Sequence, residues 1–245
     1  MQLPITNGFY ISPSLPISAQ ECLNWYPNIS EVAALSQENL FGTPGLVQLA
    51  TSGTVSNSNR GVHTMSGVAY AVNGEKLYKI VETIIDNEAT YSLDELGTVS
   101  GTTRVSIADN GTQLLVLVPG GNGYIYNQVT DTFVQITDVD FTANGNPQFV
   151  VFVDSYFVCT TDTKKFICSA QNDGTSWNAL DYGTAESNPD ATVAPIVYKN
   201  QLFIAGSQTI EAFQNTGGAD FPFQRSGLYI QKGVFAPYSL INAQD

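Results

Sequence analysis

The feature that most constrains the fold is a set of apolar hairpins repeated at nearly constant spacing. Apolar segments begin near residues 68, 113, 156 and 201, in steps of 45, 43 and 45 residues. Each runs through a polar or glycine-rich turn into a second apolar segment, with turns at 73–76, 119–123, 162–165 and 206–208. A candidate strand precedes and follows every hairpin. Four strands in about 40–45 residues are typical of a β-propeller blade, whereas an antiparallel sandwich has no reason to keep a fixed step.

This spacing predicts an all-β protein: a β-propeller built of four-stranded antiparallel blades, with an extended N-terminal arm. Residues 1–45 form the arm, because five prolines in that stretch oppose regular pairing. Residues 46–245 form the propeller. Its blades are expected at 60–97, 103–137, 149–180 and 192–231.

Three shorter stretches carry further expectations about the propeller and the arm. Residues 30–39 have helical composition, enough for one or two turns. Leu46–Leu49 is expected to be a strand that closes the ring against the last blade. Ala236–Ile241 is expected to begin a fifth blade, which would make the chain the N-terminal part of a longer propeller protein.

Composition excludes several classes of function. Nine Lys and Arg stand against 22 Asp and Glu, giving a net charge of −13, so the chain lacks the basic surface that grips nucleic acid. Such a chain could still line a passage along which DNA slides. No apolar run reaches the roughly 18–20 residues of a membrane helix, so no membrane insertion is expected. The single histidine, His63, and the absence of nucleotide-binding or hydrolase motifs predict no catalytic residue, no metal ligand and no cofactor.

The three cysteines are Cys22, Cys159 and Cys168. The last two flank the hairpin turn at 162–165 symmetrically, which predicts thiols opposite each other on paired strands. A cross-strand disulfide is then one alternative, but we expect close, reduced thiols, because Cys packs well as a small apolar side chain.

One local motif is similar to a degenerate Asp-box, the S-x-D-x-G-x-T-W hairpin of sialidases and other propellers. Asn172 stands where the Asp belongs, Gly174 is expected to provide a positive-φ turn, and Trp177 is expected to pack between strands. In propellers this hairpin is structural, so it supports the fold and not an activity.

The alternative function is a carbohydrate-binding or sialidase-like propeller. That chemistry needs arginines converging on a carboxylate, and the chain offers only Arg60, Arg104 and Arg225. We expect these three to be far apart or individually paired. A loop with Asp138 and Asp140 faintly resembles a calcium site, but its ligand pattern is incomplete, and we interpret it as a connection between blades.

Several short motifs together resemble a known family. They are A-E-S-N-P-D at 185–190, the pattern F-x-x-G-S-x-T-I-E-x-F at 203–213, Q-K-G at 231–233, R-G-V at 60–62 and N-x-Y-P at 24–27. Taken in their order along the chain, they resemble the packaged-DNA stabilisation proteins of short-tailed bacteriophages, also called tail accessory factors, tail hubs or nozzles.

The resemblance implies a non-enzymatic virion protein of the phage tail, assembled in the bacterial host cytoplasm. It implies a homo-oligomeric ring, a hexamer, below the portal or adaptor protein, with contacts to tail fibre, spike or needle proteins. Candidate contact residues are Trp25 and Tyr26 in the arm, and Phe221, Phe223 and Arg225 on a long loop. The alternative is that these side chains pack back onto their own propeller. A generic propeller interaction module is the remaining interpretation.

Overall fold

The computed structural model describes residues 24–29, 38–52, 58–186, 190–218 and 221–242. It divides into two units, Met1–Gln48 and Leu49–Asp245. The first contains β1 (Trp25–Ile29) and β2 (Glu38–Gly42). The second contains β3 (Asn59–Met65), β4 (Val68–Asn73), β5 (Lys76–Ile85), β6 (Glu88–Thr98), β7 (Ser106–Asp109), β8 (Gln113–Val118), β9 (Asn122–Asn127), β10 (Thr132–Gln135), β11 (Pro147–Val153), β12 (Tyr156–Thr161), β13 (Lys165–Ala170), β14 (Asp173–Thr184), β15 (Thr192–Tyr198), β16 (Gln201–Gly206), β17 (Ile210–Asn215) and β18 (Phe223–Ile230).

The second unit is built of four antiparallel sheets of four strands each. Blade 1 is β3–β6, blade 2 is β7–β10, blade 3 is β11–β14 and blade 4 is β15–β18, and within every blade the strands are neighbours in chain order. The first strands of successive blades lie against one another, β3 on β7, β7 on β11 and β11 on β15. This arrangement confirms the predicted all-β propeller fold. The only helical element among the described residues is a 3-10 turn, Val139–Thr142, and no described helix has the length and apolar character to cross a membrane.

The core consists of three clusters, each between two successive blades. Blade 2 covers one face of blade 1, blades 2 and 3 pack face to face, and blades 3 and 4 do the same. Blades 2 and 3 are therefore each buried on both faces, which explains why their middle strands are unbroken apolar runs. Leu114, Leu115, Val116 and Leu117 of β8 are all fully buried. Each such side chain contributes about 1.5–3 kcal/mol through burial.

The predicted hairpin turns lie where the sequence places them. Asn73 pairs with Lys76 across the first turn, and Gly120 and Gly121 adopt positive φ in the second. The hairpin of blade 3 turns between Thr160 and Phe166, which are partners in the register.

The hairpin between β5 and β6 is longer than expected. The strand β4 pairs with β5 only as far as Ile80, but β5 and β6 continue to pair with each other from Val81–Ser92 out to Ile85–Glu88. Residues 81–92 therefore form a two-stranded projection, called the ribbon below. Asp86 and Asn87 have φ of 53° and 65°, the conformation of a tight two-residue hairpin turn.

Three expectations about the arm and the chain ends are wrong. Glu38 and Asn39, expected at the end of a short helix, belong to β2, which pairs with β1; residues 30–37 lie outside the described residues. Leu46–Leu49 forms no strand, and neither does Ala236–Ile241. The segment Ala236–Ile241 instead contacts the connection between blades 1 and 2, where the Tyr238 hydroxyl donates a hydrogen bond to the Arg104 carbonyl at 3.1 Å.

The two cysteines of blade 3 are not opposite each other. Cys168 pairs with Val158, and Cys159 pairs with Ile167, so the register is offset by one residue from the symmetric one. Because alternate residues of a strand face opposite sides, the thiols point into different cores, Cys159 toward blade 2 and Cys168 toward blade 4. Both are free, and burial raises the pKa of both thiols, that of Cys168 to about 12.

Candidate functional site

Arg60 is a buried charge used for structure. It is the second residue of β3, only 3% exposed, and burial lowers its pKa. Its guanidinium donates four hydrogen bonds to backbone carbonyls, to Thr103 at 2.6 Å, Gly74 at 2.9 Å, Val99 at 2.8 Å and Ser100 at 3.0 Å. These bonds offset the loss of hydration and fix the chain where it crosses from blade 1 to blade 2.

The other two arginines have different partners. The Arg104 guanidinium lies 4.0 Å from the centre of the Tyr238 ring, a cation–π contact. Arg225 Nε lies 3.0 Å from Glu211 Oε2. Arg60 and Arg104 do border one open cavity of about 350 Å³, but no Tyr or Glu lines it and Arg225 is elsewhere. The three arginines are individually engaged, so the sialidase-like constellation does not form.

The Asp-box-like hairpin is a packing device. Trp177 is buried against Phe141, with ring centres 4.8 Å apart, and its indole nitrogen donates to the Gly174 carbonyl at 2.9 Å. The positive φ expected at Gly174 is at Asn172, with φ of 57°. Gly174 is required for a different reason, since a Cβ there would lie 2.6 Å from Ile125 Cδ1.

The loop with Asp138 and Asp140 has no open ligand set. Asp138 Oδ1 accepts a hydrogen bond from the backbone N–H of Asp140 at 3.0 Å, and Asp138 Oδ2 accepts one from the backbone N–H of Trp177 at 2.8 Å. No cluster of three or more metal-ligating side chains occurs in the part of the chain that the structure describes. His63 is likewise engaged, with Nε2 2.6 Å from Asp109 Oδ2, linking β3 to β7.

The family-like motifs of blade 4 converge on one turn. Asp190 is buried, and its Oδ2 accepts from the backbone N–H groups of Gln208 at 2.7 Å and Thr209 at 3.2 Å. A Cβ at Gly206 would lie 2.3 Å from that carboxylate oxygen. The Gly206 carbonyl in turn accepts from the Val234 N–H at 2.9 Å, next to the Q-K-G motif.

A buried acid completes the same blade. Glu211 is 3% exposed and forms an ion pair with Arg225, which also donates to the Thr184 carbonyl of blade 3 at 2.9 Å. Phe213 packs edge-on against Phe166 of blade 3 at 4.8 Å. The motif residues thus build blade 4 and attach it to blade 3.

The predicted contact residues fall into two groups. Trp25 and Tyr26 lie on the β1–β2 hairpin and are about half exposed, with Tyr26 stacked on Phe41 at 5.9 Å. Their contact with a partner stays a prediction. Phe223 and Arg225 lie in β18, not on a loop.

The packing of the second group corrects the sequence-based expectation. Phe223 is 4% exposed in the core between blades 3 and 4, and Phe221 packs against Phe166. A ring that is already buried offers no surface to another protein, so Phe223 as an exposed anchor is wrong.

Sequence reasoning missed the ribbon. Ile84 and Ile85 at its end are 67% and 62% exposed, with no blade beneath them. The signal was present: residues 81–92 contain neither Gly nor Pro, and Asp86-Asn87 is a turn dipeptide.

Comparison with known proteins identifies one family. The family model described as Bacteriophage P22 Gp10, beta-propeller, matches residues 1–245. No sequence among the curated proteins matches the chain.

Solved structures show only weak similarity. BamB from Moraxella catarrhalis matches with 12% identity and a TM-score of 0.46 over 67% of this chain and 47% of that protein. PorZ from Porphyromonas gingivalis matches with 11% identity and a TM-score of 0.45 over 69% and 22%. Hsv2 from Kluyvelomyces marxianus matches with 8% identity and a TM-score of 0.48 over 78% and 60%. The matched part is thus less than two thirds of each of these proteins.

Proposed function

Because this chain belongs to the Bacteriophage P22 Gp10 β-propeller family, we propose that it forms part of the tail hub or nozzle ring below the portal. The family makes it a phage structural protein with a DNA-stabilising role. In the proposed ring it retains packaged DNA and connects the portal or adaptor to tail fibres or spikes. The observation that carries the proposal is the match of the family model to residues 1–245.

The polar chemistry of the described residues supports a structural part. Several charged side chains bind groups inside the fold. Arg60 donates hydrogen bonds to backbone carbonyls, and Asp138 and Asp190 accept hydrogen bonds from backbone N–H groups. Glu211 forms an ion pair with Arg225. Such networks hold blades in one arrangement. The carbohydrate-directed alternative is not favoured by any described contact.

The charge supports a role beside DNA without binding to it. Each copy carries −13, so a ring of copies would place a strong negative potential near its axis. That potential repels phosphates and lets the duplex slide during ejection. The ring, with six copies proposed, would therefore guide DNA and not grip it.

The test is a phage lacking this gene product. The proposal expects particles that package DNA and then lose it, and it expects complementation in trans by the wild-type chain to restore retention. Complementation by a chain that cannot fold controls for expression alone. The proposal would be contradicted if particles assembled without the protein retained their DNA and wild-type virions did not contain the protein.

A further inference from the structure

The ribbon is an exposed projection with an apolar end. In the part of the chain that the structure describes, its two strands pair only with each other, because β4 pairs with β5 no further than Ile80. All positions from Glu82 to Thr90 are exposed, including the adjacent Ile84 and Ile85. A two-stranded hairpin gains little stability alone, so exposed isoleucines at its end suggest a surface that is covered in use.

The ribbon is also strongly acidic. Residues 81–92 contain three carboxylates and no Lys or Arg. Glu82 and Asp86 lie within two positions of an isoleucine in sequence, and Glu88 is the register partner of Ile85. A surface that covers this end must therefore combine apolar contact area with positive charge.

The same chain carries a surface with that combination at the outer edge of blade 4, residues 224–232. Leu228, Tyr229 and Ile230 are each about half exposed. Residues 221–242 contain Arg225 and Lys232 and no acid, in a chain whose net charge is −13. The Arg225 guanidinium is paired with Glu211, so the exposed Lys232 supplies the positive charge that complements the ribbon.

Among the described residues, both surfaces are outer edges of their sheets. β6 is the last strand of blade 1, and β18 is the last strand of blade 4. A free edge presents backbone N–H and C=O groups that another strand can pair with. Each surface therefore combines an outer strand, exposed apolar side chains and charged side chains.

We propose that the ribbon of one copy docks against the outer edge of blade 4 of a second copy. The occupant is a second copy because the complementary charge and the apolar area occur on the same chain. The contact is head-to-tail, so an open series keeps one free ribbon at one end and one free edge at the other until it closes into a ring. This inference deepens the proposed function by naming the surfaces through which the ring forms.

The main test is a charge exchange, with self-association of the complete chain measured by sedimentation velocity over a concentration series. The double variant Glu82→Lys/Glu88→Lys and the single variant Lys232→Glu should each weaken association, the double variant by about tenfold. Mixing the two variants brings reversed charges together and should recover most of the loss. Added salt should weaken the wild-type association.

The controls are Glu186→Lys and Lys164→Glu, single charge reversals at exposed positions outside both surfaces, and Glu186→Lys is compared with each of the single variants Glu82→Lys and Glu88→Lys. The two controls should leave association unchanged. A wild-type chain that stays monomeric, or ribbon variants that associate like the controls, would overturn the contact.

Cross-linking tests the same contact without relying on charge. One chain carries Ile85→Cys and another carries Tyr229→Cys, both with Cys22→Ser, and mild oxidation should link only the mixture. Val129→Cys, at another exposed position, replaces Ile85→Cys as the control and should not link. Equal linking by the control contradicts a specific contact.

The two proposals fail separately. If virions contain the protein and need it to retain DNA, but the charge exchange and cross-linking show no effect, the function stands and the docking surface is wrong. If association behaves as expected but deleted particles keep their DNA, the docking surface stands and the function is wrong.

Discussion

The turn of blade 4 and the ribbon of blade 1 are both ends of antiparallel hairpins, yet their polar residues do opposite work. In blade 4, Asp190 is buried and satisfies two backbone N–H groups. In the ribbon, Glu82 and Glu88 are exposed beside apolar side chains. Residues that make the family recognisable therefore include fold-forming ones, and the ribbon lies outside those motifs, whereas Lys232 at the edge of blade 4 belongs to the Q-K-G motif.

The largest expected effect is at Arg60. Arg60→Ala removes the donor to four carbonyls in a buried site, and we expect the free energy of unfolding to fall by about 3–5 kcal/mol. Urea denaturation measures it. Arg104→Ala, which loses only a cation–π contact, is the control and should cost about 1 kcal/mol or less. Equal losses for the two variants would contradict the structural role of Arg60.

Asp190 tests the buried side of the comparison directly. Asp190→Ala leaves the N–H groups of Gln208 and Thr209 without their acceptor, and we expect a loss of about 2–3 kcal/mol. Asp190→Asn keeps one carbonyl acceptor, so its free energy of unfolding should fall by less. The same denaturation series decides, and an Asp190→Ala variant as stable as the wild type would show that the turn does not depend on this carboxylate.

The buried thiols give a pH dependence. The unfolded thiol ionises near pH 8.5–9, whereas burial raises the pKa of folded Cys168 to about 12. Above pH 9 the folded state therefore holds more protons than the unfolded state, so stability should fall as the pH rises from 9 toward 12.

Alkylation checks the protonation of both thiols. At pH 8 the folded chain should react with iodoacetamide at Cys159 and Cys168 far more slowly than the chain in guanidinium, as read by peptide mass spectrometry. Fast modification in the folded chain would contradict the two separate buried sites.

The smallest effect on stability is expected at the ribbon. Ile84→Ser/Ile85→Ser changes exposed side chains and should alter the free energy of unfolding by no more than about 0.5 kcal/mol. The same variant should weaken self-association. A large loss of stability would show that the ribbon belongs to the fold, and the contrast with blade 4 would disappear.

The sequence predicts the blades because their signals are local and repeated. Hairpin turns such as 73–76 combine a turn residue with apolar runs on both sides, and the step of 43–45 residues adds the order of the blades. The cysteine register could not be obtained this way. A five-residue connection between Thr160 and Phe166 shifts the pairing by one residue, and that reverses the face of each thiol.

The site could be predicted only in part, because composition does not reveal burial. Phe223 is an aromatic residue near a chain turn, and its sequence context does not distinguish a core ring from a surface anchor; packing between blades 3 and 4 decides. Asp190 was visible as a motif residue, but its two N–H partners lie 18 and 19 positions away in sequence.

The most direct test of the central claim is a cryo-electron microscopy map of the phage tail vertex. We predict β-propeller density arranged as a ring around the DNA passage below the portal, with the ribbon of each copy on blade 4 of its neighbour. A vertex that lacks this protein in intact, DNA-filled virions would contradict the account.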